Sequence, residues 1–182
     1  MGTPDDTRDK RVEDIMVPLE EYPCVTDAHT LRQAIQEMGK MQILSKKDAS
    51  LARAALVFDK SFRKLVGVLR RRDIMRGLEP RFLDSRPLEY TRKLFDIETD
   101  PNLSELSYDK IIQHVREQAE RLVGEVMMPI KATIDADDHI IRAMYEMVSQ
   151  NTGLLPVLKD DNVVGVIRSV DLLNEIVLFL EL

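Results

Sequence analysis

Two spacings of apolar residues alternate along this chain, and the order in which they alternate occurs twice. In the segment VTDAHTLRQAIQEM (25–38), Leu31, Ala34, Ile35 and Met38 fall at i, i+3, i+4 and i+7, the stripe of an amphipathic helix. In IDADDHIIRAMYEM (134–147), Ile140, Ala143, Met144 and Met147 repeat that spacing. The pattern predicts that each helix buries one stripe, with Gly39 and Gly153 at or beyond the helix ends. Short apolar runs follow, AALVF (54–58) and LLPVL (154–158), and both read as strands. After a turn come LVGVL (65–69) and VVGVI (163–167), then Asp73 or Asp171 opening a last helix. Gly67 precedes Asp73 by six residues, as Gly165 precedes Asp171.

The similarity reaches further toward the N-terminus of each copy, where VEDIMVP (12–18) is echoed by VGEVMMP (123–129). Each unit therefore reads as β-α-β-β-α. One unit cannot bury both faces of a small sheet, so two copies must pack together around shared apolar surface. The fold class is α/β (in the α+β sense), with repeat 1 at 1–78, a connecting segment at 79–122 and repeat 2 at 123–182. Repeat 1 carries an insertion at about 39–53, either a loop or a longer helix. The connecting segment is too long for a simple turn. Its second half predicts a helix with the stripe Ile111, Ile112, Val115, Ala119 and Leu122, capped by Ser107. Its first half mixes charge with Phe82, Leu83, Leu88, Tyr90, Leu94 and Phe95, and reads as ordered structure over the repeats or against a partner.

Composition narrows the function classes. A net charge of −6 argues against a nucleic-acid binder, which would usually be basic. No apolar run reaches the roughly 18 residues of a membrane span. The polar start lacks the apolar core of a secretory signal, so a cytoplasmic location is the expectation. Cys24 is the one cysteine, which leaves no internal disulfide and no cysteine zinc cluster. No glycine-rich phosphate loop, nucleophile elbow or paired acid–base carboxylates are visible, and the chain reads as a non-enzyme without a catalytic or metal site.

With both copies in view the chain resembles the cystathionine-β-synthase (CBS) domain family, whose tandem pairs are called Bateman modules. The matching residues are DIM-x-P and EVM-x-P, the amphipathic helix, the LPV strand, and the glycine that leads to the final aspartate. The resemblance implies a pseudo-twofold pair of repeats and a homodimer of pairs. It also implies a regulatory ligand such as AMP, ADP, ATP or S-adenosylmethionine in the cleft between repeats, no other cofactor, and an unidentified regulated protein. By the same resemblance Asp73 and Asp171 would hold ribose hydroxyls. Val25, Thr26, Ile134 and Asp135, with Val57, Phe58, Pro156 and Val157 on neighbouring strands, would surround the base.

Independent chemistry supports a phosphate near these corners, because a helix N-terminus offers free N–H groups and partial positive charge. One departure stands out. Where the family usually has Thr or Ser, three residues after the glycine, this chain has Arg70 and Arg168. Arginine offers a planar fork suited to phosphate, yet it also fills space a nucleotide needs. Ser169 keeps a hydroxyl beside the second corner, while the first reads Arg70, Arg71, Arg72 and, one turn on, Arg76. That run serves either a polyphosphate or simply a solvated helix start. The plain role of both aspartates is to cap their helices. If the sites have lost nucleotide, the fold remains a dimerisation and docking module.

Overall fold

The computed structural model describes residues 9–44, 53–79 and 108–180, without the side chains of 41–44, 108 and 179. Strand β1 (Val17–Pro18) and strand β2 (Cys24–Thr26) lead into helix α1 (Leu31–Leu44), followed by β3 (Ala54–Phe58), β4 (Leu65–Arg70) and α2 (Arg71–Leu78). Helix α3 (Tyr108–Gln118) then precedes β5 (Met128–Pro129), β6 (Ile134–Asp135), α4 (Ile140–Ser149), β7 (Leu154–Lys159), β8 (Asn162–Arg168) and α5 (Ser169–Phe179). The two repeats, the helical connection and the α/β class all appear as the hydrophobic pattern predicts. The expected Ser107 cap and the segment 80–96 lie outside the described residues. Of the insertion, the part through Leu44 is helix.

Helix α1 runs through Gly39, which therefore does not end it. A glycine inside a helix costs about 1 kcal/mol relative to alanine. Burial of Leu31, Ala34 and Met38 outweighs that cost. The helix starts at a reciprocal capping box, in which Gln33 N–H donates to Thr30 Oγ1 and Thr30 N–H donates to Gln33 Oε1. In α4 the buried stripe is narrower than its sequence spacing implies. Ile140, Ala143 and Met147 are buried, but Met144 is 38% exposed. It sits at the rim, which turns outwards with Ile141, Tyr145 and Val148.

The strands form two four-stranded sheets, ordered β1-β8-β7-β6 and β2-β3-β4-β5. This order contains an exchange. Strand β1 begins repeat 1 but pairs antiparallel with β8 of repeat 2, Val17 opposite Val166. Strand β5 begins repeat 2 but pairs with β4 of repeat 1, Met128 opposite Val68. The turns before these strands cross with them. Val12 is buried in the core formed by Ile134, Ile140, Leu155 and Ile167, whereas Val123 completes the core of Val25, Leu31, Val57 and Leu69. Matching backbone bonds hold the two arms, with Val12 N–H donating to Asp138 O and Val123 N–H to His29 O. Each repeat is therefore incomplete without the other.

Alternation along the strands gives each sheet two buried faces. Ala55, Val57 and Leu69 face the helices of repeat 1, while Leu155, Val157 and Ile167 face those of repeat 2. The opposite faces meet in a third cluster of Tyr22, Leu56, Phe58 and Val166, with Leu65, Val68, Leu154 and Val163 around it. That cluster is the seam between the repeats.

Candidate functional site: the two arginine–aspartate corners

Each final helix begins directly after the last strand of its sheet, so backbone direction reverses at Arg70 and at Arg168. Both arginines are extended N-cap residues, with φ −90° and −113°. Asp73 and Asp171 stand at the third helical position, where a carboxylate can reach back to the N-cap N–H. They do so at 3.0 Å in both corners. Arginine has no acceptor to complete a reciprocal box. Its guanidinium instead folds over the same carboxylate. Arg70 donates from Nε to Asp73 Oδ2 at 2.8 Å and from Nη2 to Oδ1 at 2.9 Å. Arg168 does the same to Asp171, at 2.8 Å and 2.5 Å. The arginines that replace the family's hydroxyl residues are thus partners of the two aspartates to which the resemblance assigns ribose.

The corners differ in access. The Asp73 side chain is 0% exposed and that of Asp171 12%, while the Arg168 side chain is 42% exposed. Burial pushes the Asp73 carboxyl up, but the Arg70 fork and backbone N–H outweigh it and hold the group below the ordinary carboxylate range. The hydrogen bond to its aspartate raises each arginine above its usual value. Ser169 is exposed beside Asp171, its N–H bonded to Gly153 O at 2.9 Å. Tyr22, from the repeat 1 arm, reaches this second corner across the seam. Burial pushes its phenol up, and the charges of Arg168 and Asp171 both act on it. No spacing rule marks Tyr22 in the sequence, because it lies in an irregular stretch before β2.

The remaining expected base-binding positions do not converge on the corners. Val25 and Val57 have their side chains in the repeat 1 core, and Ile134 and Val157 in the repeat 2 core. Thr26 is buried beside Phe58, its partner in the β2–β3 pairing, and its N–H donates to His29 Nδ1. Pro156 is buried on β7 opposite Val166. Asp135 is exposed and lines an open depression of about 350 Å³ with Ala136, Asp137, Asp138, Leu158, Lys159 and Asp160. In repeat 1 the matching β3–β4 turn is longer and carries Phe62, which stacks on Phe58 and meets the edge of His29. Asp59 ties that turn with bonds from Ser61 Oγ and from the N–H groups of Lys64 and Arg63, which hold its carboxyl down at about 2. Among the described residues no group of His, Cys, Asp or Glu is placed to hold a metal ion, and no helix is long and apolar enough to cross a membrane.

Solved structures share this architecture. The CBS domain of a CBS-domain-containing membrane protein from Sphaerobacter thermophilus is 22% identical, with a TM-score of 0.66 over 94% of this chain and 90% of that one. CBSX2, a CBS-pair protein from Arabidopsis thaliana, is 15% identical, with a TM-score of 0.60 over 94% and 97%. CBSX2 in complex with AMP gives 15% identity and a TM-score of 0.56 over 92% and 96%. These likenesses show the fold. No curated protein sequence matches the chain. The CBS domain model matches residues 12–80 and 123–178, the two repeats that the exchanged strands bind together, and the chain belongs to the CBS domain family as a tandem pair with the fold of a regulatory module.

Proposed function

We propose that this chain is a regulatory sensor that binds an adenine nucleotide at the Asp171 corner and, as a homodimer, passes the occupancy of that corner to a regulated protein. The observation that carries the reading is the unequal access of two chemically matched corners. Asp171 keeps an exposed edge, with Ser169 and a half-exposed guanidinium beside it, whereas Asp73 is sealed. Phosphate would take the Arg168 fork and ribose the Asp171 carboxylate. CBSX2 with AMP offers a precedent in the same fold. A nucleotide switches a partner only if it binds two conformers of the chain unequally. The outer apolar residues Ile141, Tyr145, Val148, Leu173 and Leu178 form a face on α4 and α5 that a second copy would cover.

Thermal unfolding with AMP, ADP, ATP and S-adenosylmethionine tests the sensor. A ligand at 100 times its dissociation constant stabilises the fold by about 2.7 kcal/mol. A clear rise in Tm that Asp171→Ala removes is the expected result, and no rise with any of the four at millimolar concentration sinks the reading. Light scattering tests the dimer, which Val148→Glu with Leu173→Glu should convert to monomer. The second reading, a docking module without a ligand, is favoured by one specific observation: both carboxylates already accept three hydrogen bonds within the chain.

A further inference from the structure

A carboxylate offers about four acceptor positions. In each corner Oδ2 takes the N-cap N–H and Nε, and Oδ1 takes Nη2, so one position is left. A vicinal diol needs two. The ion pair therefore competes with ribose for the same oxygens, and phosphate competes with the carboxylate for the same guanidinium. We infer that the Arg168–Asp171 pair is an exchange latch that selects, in repeat 2 alone, ligands carrying both a phosphate and a cis-diol. The inference rests on the nucleotide reading above and deepens it by naming what the corner rejects.

Partial ligands fail for opposite reasons. Inorganic phosphate can draw the half-exposed Arg168 fork away, but it leaves the nearly buried Asp171 carboxylate with only a backbone N–H. Stripping a buried carboxylate of its charged partner is costly. A nucleoside offers its diol to oxygens that the fork already occupies, and it supplies no anion to receive the displaced guanidinium. A nucleotide replaces both partners in one event. Phosphate takes the planar donor fork and the diol restores two donors to the carboxylate. At Asp73 the same fork is present, but the carboxylate is fully buried, so no ligand reaches it. One ligand per chain follows.

Calorimetric titration of the full chain with AMP, adenosine and inorganic phosphate tests the latch, comparing wild type with Arg168→Thr and Arg70→Thr. Arg168→Thr frees the carboxylate and removes the phosphate partner. Adenosine should bind about tenfold more tightly than to wild type, and the preference for AMP over adenosine should shrink about 10- to 100-fold. Arg70→Thr should leave both affinities and the 1:1 stoichiometry unchanged. If Arg168→Thr folds poorly, Arg168→Lys, which keeps the charge without the fork, should move both quantities in the same direction by less. Wild type that binds AMP, with adenosine affinity untouched by either substitution at Arg168, overturns the latch and leaves the sensor standing. Wild type that binds nothing, with adenosine captured by Arg168→Thr, supports the latch and ends the sensor reading. No binding by any form overturns both. A second site appearing in Arg70→Thr overturns the restriction to repeat 2.

Discussion

Repeat 1 and repeat 2 are built from the same order of strands and helices, yet one is closed and the other open at every matching place. Asp73 is sealed where Asp171 shows an edge. Phe62 folds onto Phe58 where repeat 2 has an open depression along Asp135 and Leu158. The arm joining α3 to β5 is tied to repeat 1, with Arg32 donating to Glu120 and Arg121 to Gly77 O. The outer helices of repeat 2 leave Tyr145, Val148 and Leu173 exposed. Duplication thus preserved the corner chemistry while neighbouring segments decided which corner solvent can reach. Closed and open halves in one rigid frame suit a module in which one repeat supports the site and the other presents it.

The sharpest break of that comparison is in the cores. Leu31→Ala and Ile140→Ala each remove the first buried side chain of a helix whose N–H is bonded to the exchanged arm, at Arg121 O or Lys10 O. Each should cost about 2–5 kcal/mol. Because the arms cross, urea unfolding followed by circular dichroism should show one transition in both variants, and two separated transitions would mean the repeats are independent. Next come the strand glycines. A Cβ on Gly165 would lie 2.5 Å from Val17 O, and on Gly67 2.7 Å from Met127 Sδ and 2.8 Å from Met128 O. Alanine should cost roughly 1–3 kcal/mol at either place, and more at Gly165, where rigid backbone is the nearest obstacle. Equal losses in chemical denaturation would contradict the tighter β1–β8 contact.

The corners themselves come third. Asp73→Ala and Asp171→Ala should each lose about 1–2 kcal/mol through the missing cap, with the sealed Asp73 the larger. The Asp73 carboxyl is held below its unfolded value, so its contribution is present above about pH 4 and is lost as pH falls through the lower folded value. The stability gap between wild type and Asp73→Ala should therefore narrow on acidification below pH 4, and a gap independent of pH would remove the charge from the account. The smallest effect is expected at Phe62. Its φ of 56° is strained for a side chain and favours glycine, while its stacking on Phe58 opposes replacement. Phe62→Gly should change Tm by no more than a surface substitution does, within about 0.5 kcal/mol in stability terms. A large loss would show that the closed turn of repeat 1 matters to the fold.

Much of the architecture is legible in the order of apolar residues. Leu31, Ala34 and Met38, and again Ile140, Ala143 and Met147, are buried as their spacing predicts, since a period near 3.6 faces one side of a helix. Met144 escapes because spacing marks a stripe but not its width, which depends on what packs at its rim. Gly39 escapes because helix ends depend on the summed stability of neighbouring turns as well as on one residue. At the corners the residues themselves stand out: Asp73 and Asp171 by position, Arg70 and Arg168 by departure from the family pattern. Their pairing does not, because an arginine three residues before an aspartate can point to solvent, to a ligand or back onto the helix.

Taken alone, the amino-acid order determined two β-α-β-β-α copies, their helical stripes and the acidic first turn of each closing helix, because periodicity and capping act over a few neighbouring residues. Only the tertiary structure decided that the opening strands trade places, that Tyr22 lies at the seam, and that one carboxylate is sealed while its twin keeps an exposed edge. Those outcomes depend on contacts between residues more than a hundred positions apart, such as Val17 with Val166 and Val12 with Ile140. Local propensity carries no record of such distances, and burial at the corners follows from them.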